Sequence, residues 1–112
     1  MIEEINVTTH QNITMTRGDT LAFGVEIIDL DQDLDTMFFT CKSSFDGDIV
    51  FQKSLEDGIS KVETGLYRVR VAPNDTKRLE AGEYYYDLEI GVNSDIFTLL
   101  QGVLTLEHDL TF

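Results

Sequence analysis

Asp29, Asp31, Asp33 and Asp35 stand at alternate positions of the run DLDQDLD. Hard carboxylate oxygens at that density are the chemistry of a Ca²⁺ site. The spacing departs from a calcium-binding helix–loop–helix. Leu34 stands where that loop needs its turn glycine, and Thr40 where it needs a bidentate glutamate. The run reads instead as solvated carboxylates in a loop between two strands, and no residue is assigned to a metal.

Arg17-Gly18-Asp19 is the tripeptide that adhesion proteins present to cell-surface receptors. Here it falls between two strand-like runs, at a bend that needs a glycine for its own geometry, so it reads as a turn. Asn6-Val7-Thr8, Asn12-Ile13-Thr14 and Asn74-Asp75-Thr76 match the N-glycosylation pattern. The opening MIEEINVTTH has no basic segment followed by an apolar one, so no secretion signal is expected and these sequons read as polar strand and turn residues. His10 and His108 are the two imidazoles. They lie near the chain ends, where first and last strands could bring them together, but two histidines without a cysteine pair make a poor metal set. Cys41, the one cysteine, excludes an intrachain disulfide and falls on the apolar side of its strand, as a buried hydrophobe rather than a nucleophile. No Ser-His-Asp set and no glycine loop leading into a long helix is present. The expectation is therefore no enzyme, no catalytic residues and no cofactor.

The elements that position these residues follow a period of two. In GEYYYDLEIGV, Tyr84, Tyr86, Leu88, Ile90 and Val92 alternate with Glu83, Tyr85, Asp87 and Glu89. That is a strand half-buried on a core. Tyr67, Val69 and Val71 alternate with Arg68 and Arg70. Leu21, Phe23, Val25 and Ile27 share one side, as do Met37, Phe39 and Cys41. DIVFQKSL is a further strand, and DIFTLLQGVLTLEHD another with a break. INVTT and NITMT read as short first strands, or one strand interrupted near Gln11. Phe97 and Leu99 share a parity that Leu104 and Leu106 reverse, which predicts a bulge at Gln101-Gly102. PNDTKRLEAG alone suits a helical turn, with Pro73 at its start.

Three spacings resemble the immunoglobulin-like fold. LEAGEYYYD is similar to its tyrosine corner, with Tyr84 as the corner residue and Tyr86 in the place of the second cysteine. RGDTLAFGV is similar to the turn into its second strand, with Val25 in the place of the first cysteine. The broken last strand is similar to its glycine-bulged final strand. The expected fold is an all-β, immunoglobulin-like antiparallel β-sandwich of about seven or eight strands with at most one short helical turn. It forms a single domain over residues 1–112, a length typical of one domain.

The chain is 42% hydrophobic, enough to build a core, and eight basic against 21 acidic residues give a net charge of −13. Such a field repels polyanions, so no nucleic acid and no membrane are expected as partners. Copies of the chain repel one another too. The low-charge segments NITMT, MFFTCKSS and IFTLLQGVLTL are therefore the expected contact surfaces.

MTRGDTLAFGVEIID, FFTCKSS, VFQKSLEDGI, GLYRVRVAPNDTKRL, AGEYYYDLEI and IFTLLQGVLTLEHDLT, taken in order, resemble the N-terminal domain of upper baseplate proteins of phages of Gram-positive bacteria. They also resemble stand-alone prophage proteins of similar size. The resemblance runs from Thr14 to Thr111. It implies a non-enzymatic virion structural module of the tail or baseplate, assembled in the bacterial cytoplasm. Its implied partners are other phage structural proteins, with homo-oligomers in the assembly. The alternative reading is a carbohydrate- or cell-surface-binding β-sandwich module, with calcium dependence resting on Asp29–Asp35. Aromatics clustered on one face or rim would mark that alternative, whereas this sequence spreads them along its strands.

Overall fold

A computed structural model describes residues 8–110. Among the described residues the strands are β1 (Thr9–His10), β2 (Ile13–Thr16), β3 (Leu21–Glu26), β4 (Thr36–Lys42), β5 (Ile49–Leu55), β6 (Gly58–Glu63), β7 (Leu66–Val71), β8 (Gly82–Val92) and β9 (Asp95–Glu107). A single helical turn, α1 (Pro73–Thr76), joins β7 to β8. Asn6 and most of INVTT lie outside the described residues.

The strand order β1-β9-β8-β4-β5-β6-β7-β3, with β2 also on β9, is that of an immunoglobulin-like sandwich. β9-β8-β4-β5 make one layer and β6-β7-β3 the other. The expectation of purely antiparallel pairing needs correcting at three places. β1 and β2 run parallel to β9, and β5 meets β6 in a short parallel pairing, Ser54 with Gly58 and Leu55 with Ile59. At that corner the chain passes from one layer to the other, and Glu56 and Gly58 take φ of 68° and 96°. The sheet is thus continuous and curled rather than two separate sheets.

Alternation decides which side chains fill the space between layers. Met37, Phe39 and Cys41 are buried while Thr40 and Lys42 face outward; Tyr67, Val69 and Val71 are buried while Arg68 and Arg70 are exposed. Val25 and Tyr86 are buried in the places of the missing cysteines. Phe39 carries the packing across the layers. Its ring lies 5.7 Å from Phe23 on β3, edge to face, 5.3 Å from Tyr86 and 6.1 Å from Phe51. Phe39 thus stands on the strand where this fold usually packs a tryptophan. The burial of such a side chain contributes about 3 kcal/mol.

The tyrosine corner forms as its spacing predicts: the Tyr84 hydroxyl donates to the Glu80 carbonyl at 2.7 Å. Asn93 and Ser94, at φ of 53° and 70°, close the β8–β9 hairpin as a two-residue turn whose twist matches its strands. The bulge in β9 is not at Gln101-Gly102. Leu88 pairs with Leu100 and Glu89 with Thr98, which leaves Leu99 as the extra residue. The bulge restores Phe97, Leu100, Leu104 and Leu106 to one face. Gly102 is needed for another reason: a Cβ there would sit 2.0 Å from the Gln11 carbonyl oxygen. The first strand breaks at Gln11 and Asn12 because it crosses this point. It is tied by Gln11 N–H to the Gln101 carbonyl (3.0 Å), by the Tyr86 hydroxyl to the Gln11 carbonyl (2.6 Å) and by Val103 N–H to Asn12 Oδ1 (3.1 Å).

Candidate functional site

The residues that suggested chemistry in the sequence divide into two groups. Arg17-Gly18-Asp19 is a turn, with Asp19 N–H on the Thr16 carbonyl at 3.1 Å and Gly18 at φ of 82°. Arg17 points inward along the molecule: its guanidinium lies 3.0 Å from the Asp109 carboxylate and also donates to the Leu79 carbonyl. Gly18 N–H donates to the hydroxyl of Thr76, which is fully buried. The tripeptide is a structural corner seated against the α1 connection. The same hydrogen bond gives Thr76 of the Asn74 sequon a structural task.

The aspartate run is a cap on one end of the sandwich. Leu30 and Leu34 dip into the core, so alternation leaves the four aspartates outside. The loop is fixed by Leu34 N–H to the Tyr67 hydroxyl (3.1 Å), Asp35 N–H to the Gly91 carbonyl (2.8 Å), and Asn93 N–H to Asp35 Oδ2 (3.1 Å). Asp33 pairs with Lys61 at 2.6 Å. Among the described residues no three His, Cys, Asp or Glu side chains gather as a metal-holding group. His10 and His108 are not brought together. β1 sets His10 opposite Gln101, which leaves about 23 Å of extended strand to His108. Cys41 is fully buried, and desolvation pushes its thiol up to about 12, far from any nucleophilic range.

A different place collects polar and aromatic groups. Pairing register lays two rows across the outer face of the larger layer. Gln52, Thr40, Asp87, Gln101 and His10 form one row over β5, β4, β8, β9 and β1. Ile49, Lys42, Tyr85 and Val103 form the next. Between these rows and the β4–β5 loop lies a groove of about 330 Å³. Phe45, from that loop, closes one side by stacking on Tyr85, ring centroids 4.5 Å apart and planes at 32°. Phe45 is exposed, as its loop position suggested, but Tyr85 is half-buried by this contact rather than exposed.

Asp87 lies in the middle of the groove's floor. It is half-buried, and its carboxylate accepts no hydrogen bond within the described residues. Desolvation raises its pKa from the ordinary aspartate value, and the charge of nearby Lys42 offsets part of that rise. Thr40 beside it is already engaged, accepting from Gln52 Nε2 at 2.9 Å. The arrangement can hold a ligand that offers a flat face to the rings and a donor to the carboxylate. Sequence patterning marks Phe45 and Tyr85 as outward-facing. It does not mark Asp87, one acid among 21, because its neighbours are set by register across four strands.

No family model matches the chain, and no curated protein does. Among solved structures, the chain is similar to part of the endo-β-1,4-mannanase from Thermotoga petrophila. The TM-score is 0.54 at 12% identity, over 86% of this chain and 18% of that one. At that identity the likeness is one of fold. The chain spans less than a fifth of the mannanase's length.

Proposed function

We propose that this domain is a non-enzymatic structural module of a phage or prophage virion, of the tail or baseplate, which acts by protein–protein contact. One observation carries the reading beyond the sequence resemblance. The three low-charge segments NITMT, MFFTCKSS and IFTLLQGVLTL come together as β2, β4 and β9 in one layer around β8. They flank β8, whose outward row Glu83, Asp87 and Glu89 is acidic, so the face sets largely neutral strands on either side of one acidic row, with the aromatic groove across it. On a domain of net charge −13, those neutral strands are where a contact patch can be buried.

Co-expression with the proteins encoded beside it, followed by size-exclusion chromatography with light scattering, tests this. A stable complex with one of them is expected, lost in Val103→Lys, which puts a positive charge on the outer face beside the groove. Alone, the domain should associate weakly at most, and more as salt rises. A tight self-oligomer that dissociates as salt rises would contradict the reading, as would the absence of any complex.

A second reading has one observation in its favour. Phe45 and Tyr85 cluster at the rim of a groove with a polar floor, as in a module that stacks on a neutral sugar. Binding of an oligosaccharide, lost in Phe45→Ala, would favour it.

A further inference from the structure

We propose that the groove on the outer face of β4, β8 and β9 receives a cationic side chain, an arginine above all, from a partner protein. This rests on the assembly reading and names the chemistry of the partner.

The floor and wall of the groove ask for two things at once. Asp87 offers a half-buried carboxylate with no hydrogen-bond donor among the described residues. Its row neighbours Thr40 and Gln101 are neutral, and Lys42 of the next row acts on it by charge without closing to an ion pair. Half-buried carboxylates in folded domains normally find donors. The half-buried Asp75 and Asp109 of this same chain both do. Beside Asp87, the Phe45–Tyr85 stack offers aromatic surface, with Phe45 67% exposed.

A guanidinium answers both. Its planar fork supplies two donors to a carboxylate, and its face packs on an aromatic ring. An ammonium answers the carboxylate but fits the ring face less well. The net charge of −13 supplies the complementarity over longer range, since it draws a basic segment towards the domain and repels an acidic one.

The test is a chemical-shift titration of the ¹⁵N-labelled domain with three probes. These are N-acetyl-arginine amide, the uncharged N-acetyl-citrulline amide of the same shape, and mannotriose as a neutral sugar. The arginine probe should saturate at millimolar concentration and move the amides of residues 40–45, 85–87 and 101–103. The citrulline probe should bind at least tenfold more weakly, and mannotriose should leave these amides unmoved. Asp87→Asn should abolish the arginine response, and Asp87→Glu should restore part of it. Phe45→Ala, at an exposed loop position, should weaken the response without disturbing the fold.

Equal responses to arginine and citrulline would overturn the proposal. So would an arginine response that survives Asp87→Asn, or a groove that answers mannotriose alone. Groove shifts that appear with protein concentration alone, and vanish in Arg68→Ala/Arg70→Ala, would make the occupant a second copy and overturn the partner assignment. The two levels separate cleanly. A complex sensitive to Val103→Lys without arginine binding sinks this inference and leaves the assembly reading standing. Arginine binding without any complex leaves the groove chemistry and sinks the assembly reading.

Discussion

The Arg17 corner and the Asp87 groove each bring a charged side chain against a strand end or loop, and they differ in what the charge finds. At the corner the buried side-chain polar groups are matched. Arg17 has Asp109 and the Leu79 carbonyl, and Gly18 N–H has the Thr76 hydroxyl. Asp75 nearby accepts from Ala72 N–H at 2.7 Å and from Lys53 at 2.9 Å. In the groove, Asp87 is half-buried, accepts from no described residue and keeps its oxygens open to solvent. A matched network specifies structure, whereas a half-desolvated carboxylate with no protein donor is a group that a ligand can still match. The tripeptide whose residue types can serve as a receptor ligand is the turn that its place in the sequence predicts, and the residue that looked ordinary is the functional candidate.

The comparison can be broken or sharpened by substitution. The largest effect is expected at Gly102, beneath the groove. Gly102→Ala forces a methyl onto the Gln11 carbonyl and should cost about 3 kcal/mol, read as a lower denaturant midpoint. It should also free β1 from β9, with faster hydrogen exchange at Gln11 N–H. A neutral result would mean that the first strand crosses elsewhere. At the corner, Thr76→Val keeps the shape but strands the Gly18 N–H, at a cost of about 2 kcal/mol. Destabilisation there without loss of partner binding is the mark of a structural corner. Tyr84→Phe removes one hydrogen bond to the Glu80 carbonyl and should cost about 1 kcal/mol.

Much of the fold is legible in the sequence because period-two alternation is a local signal. Tyr67-Arg68-Val69-Arg70-Val71 assigns its own inner face without reference to any other strand, and Pro73 marks its own helical turn. What fails to be legible is whatever depends on pairing. The change of parity in β9 requires an extra residue somewhere after Phe97. Only the register against β8 puts it at Leu99, and only the crossing of Gln11 explains Gly102. Parallel pairing of β5 with β6 depends on a chain corner with Glu56 at positive φ, a conformation its residue type does not advertise. The groove is a case of the same kind. Phe45 and Tyr85 are 40 positions apart in sequence and 4.5 Å apart in space, and Asp87 acquires its neighbours from strands on both sides.

The most direct measurement compares the melting temperature of wild type and Asp87→Asn across pH. Burial raises the folded pKa of Asp87 above its unfolded value. The folded state therefore holds the proton more tightly. Its contribution to stability is fully present below the unfolded value of about 4 and is lost as pH rises through the folded one. At pH 7 the ionised carboxylate carries a penalty that asparagine avoids. The expected result is a variant more stable than wild type by less than about 1 kcal/mol after solvent screening. The gap should close as pH falls to about 4. An Asp87→Asn protein that melts lower than wild type at pH 7, or a gap that ignores pH, would mean that Asp87 is already satisfied within the fold and not held open for a partner.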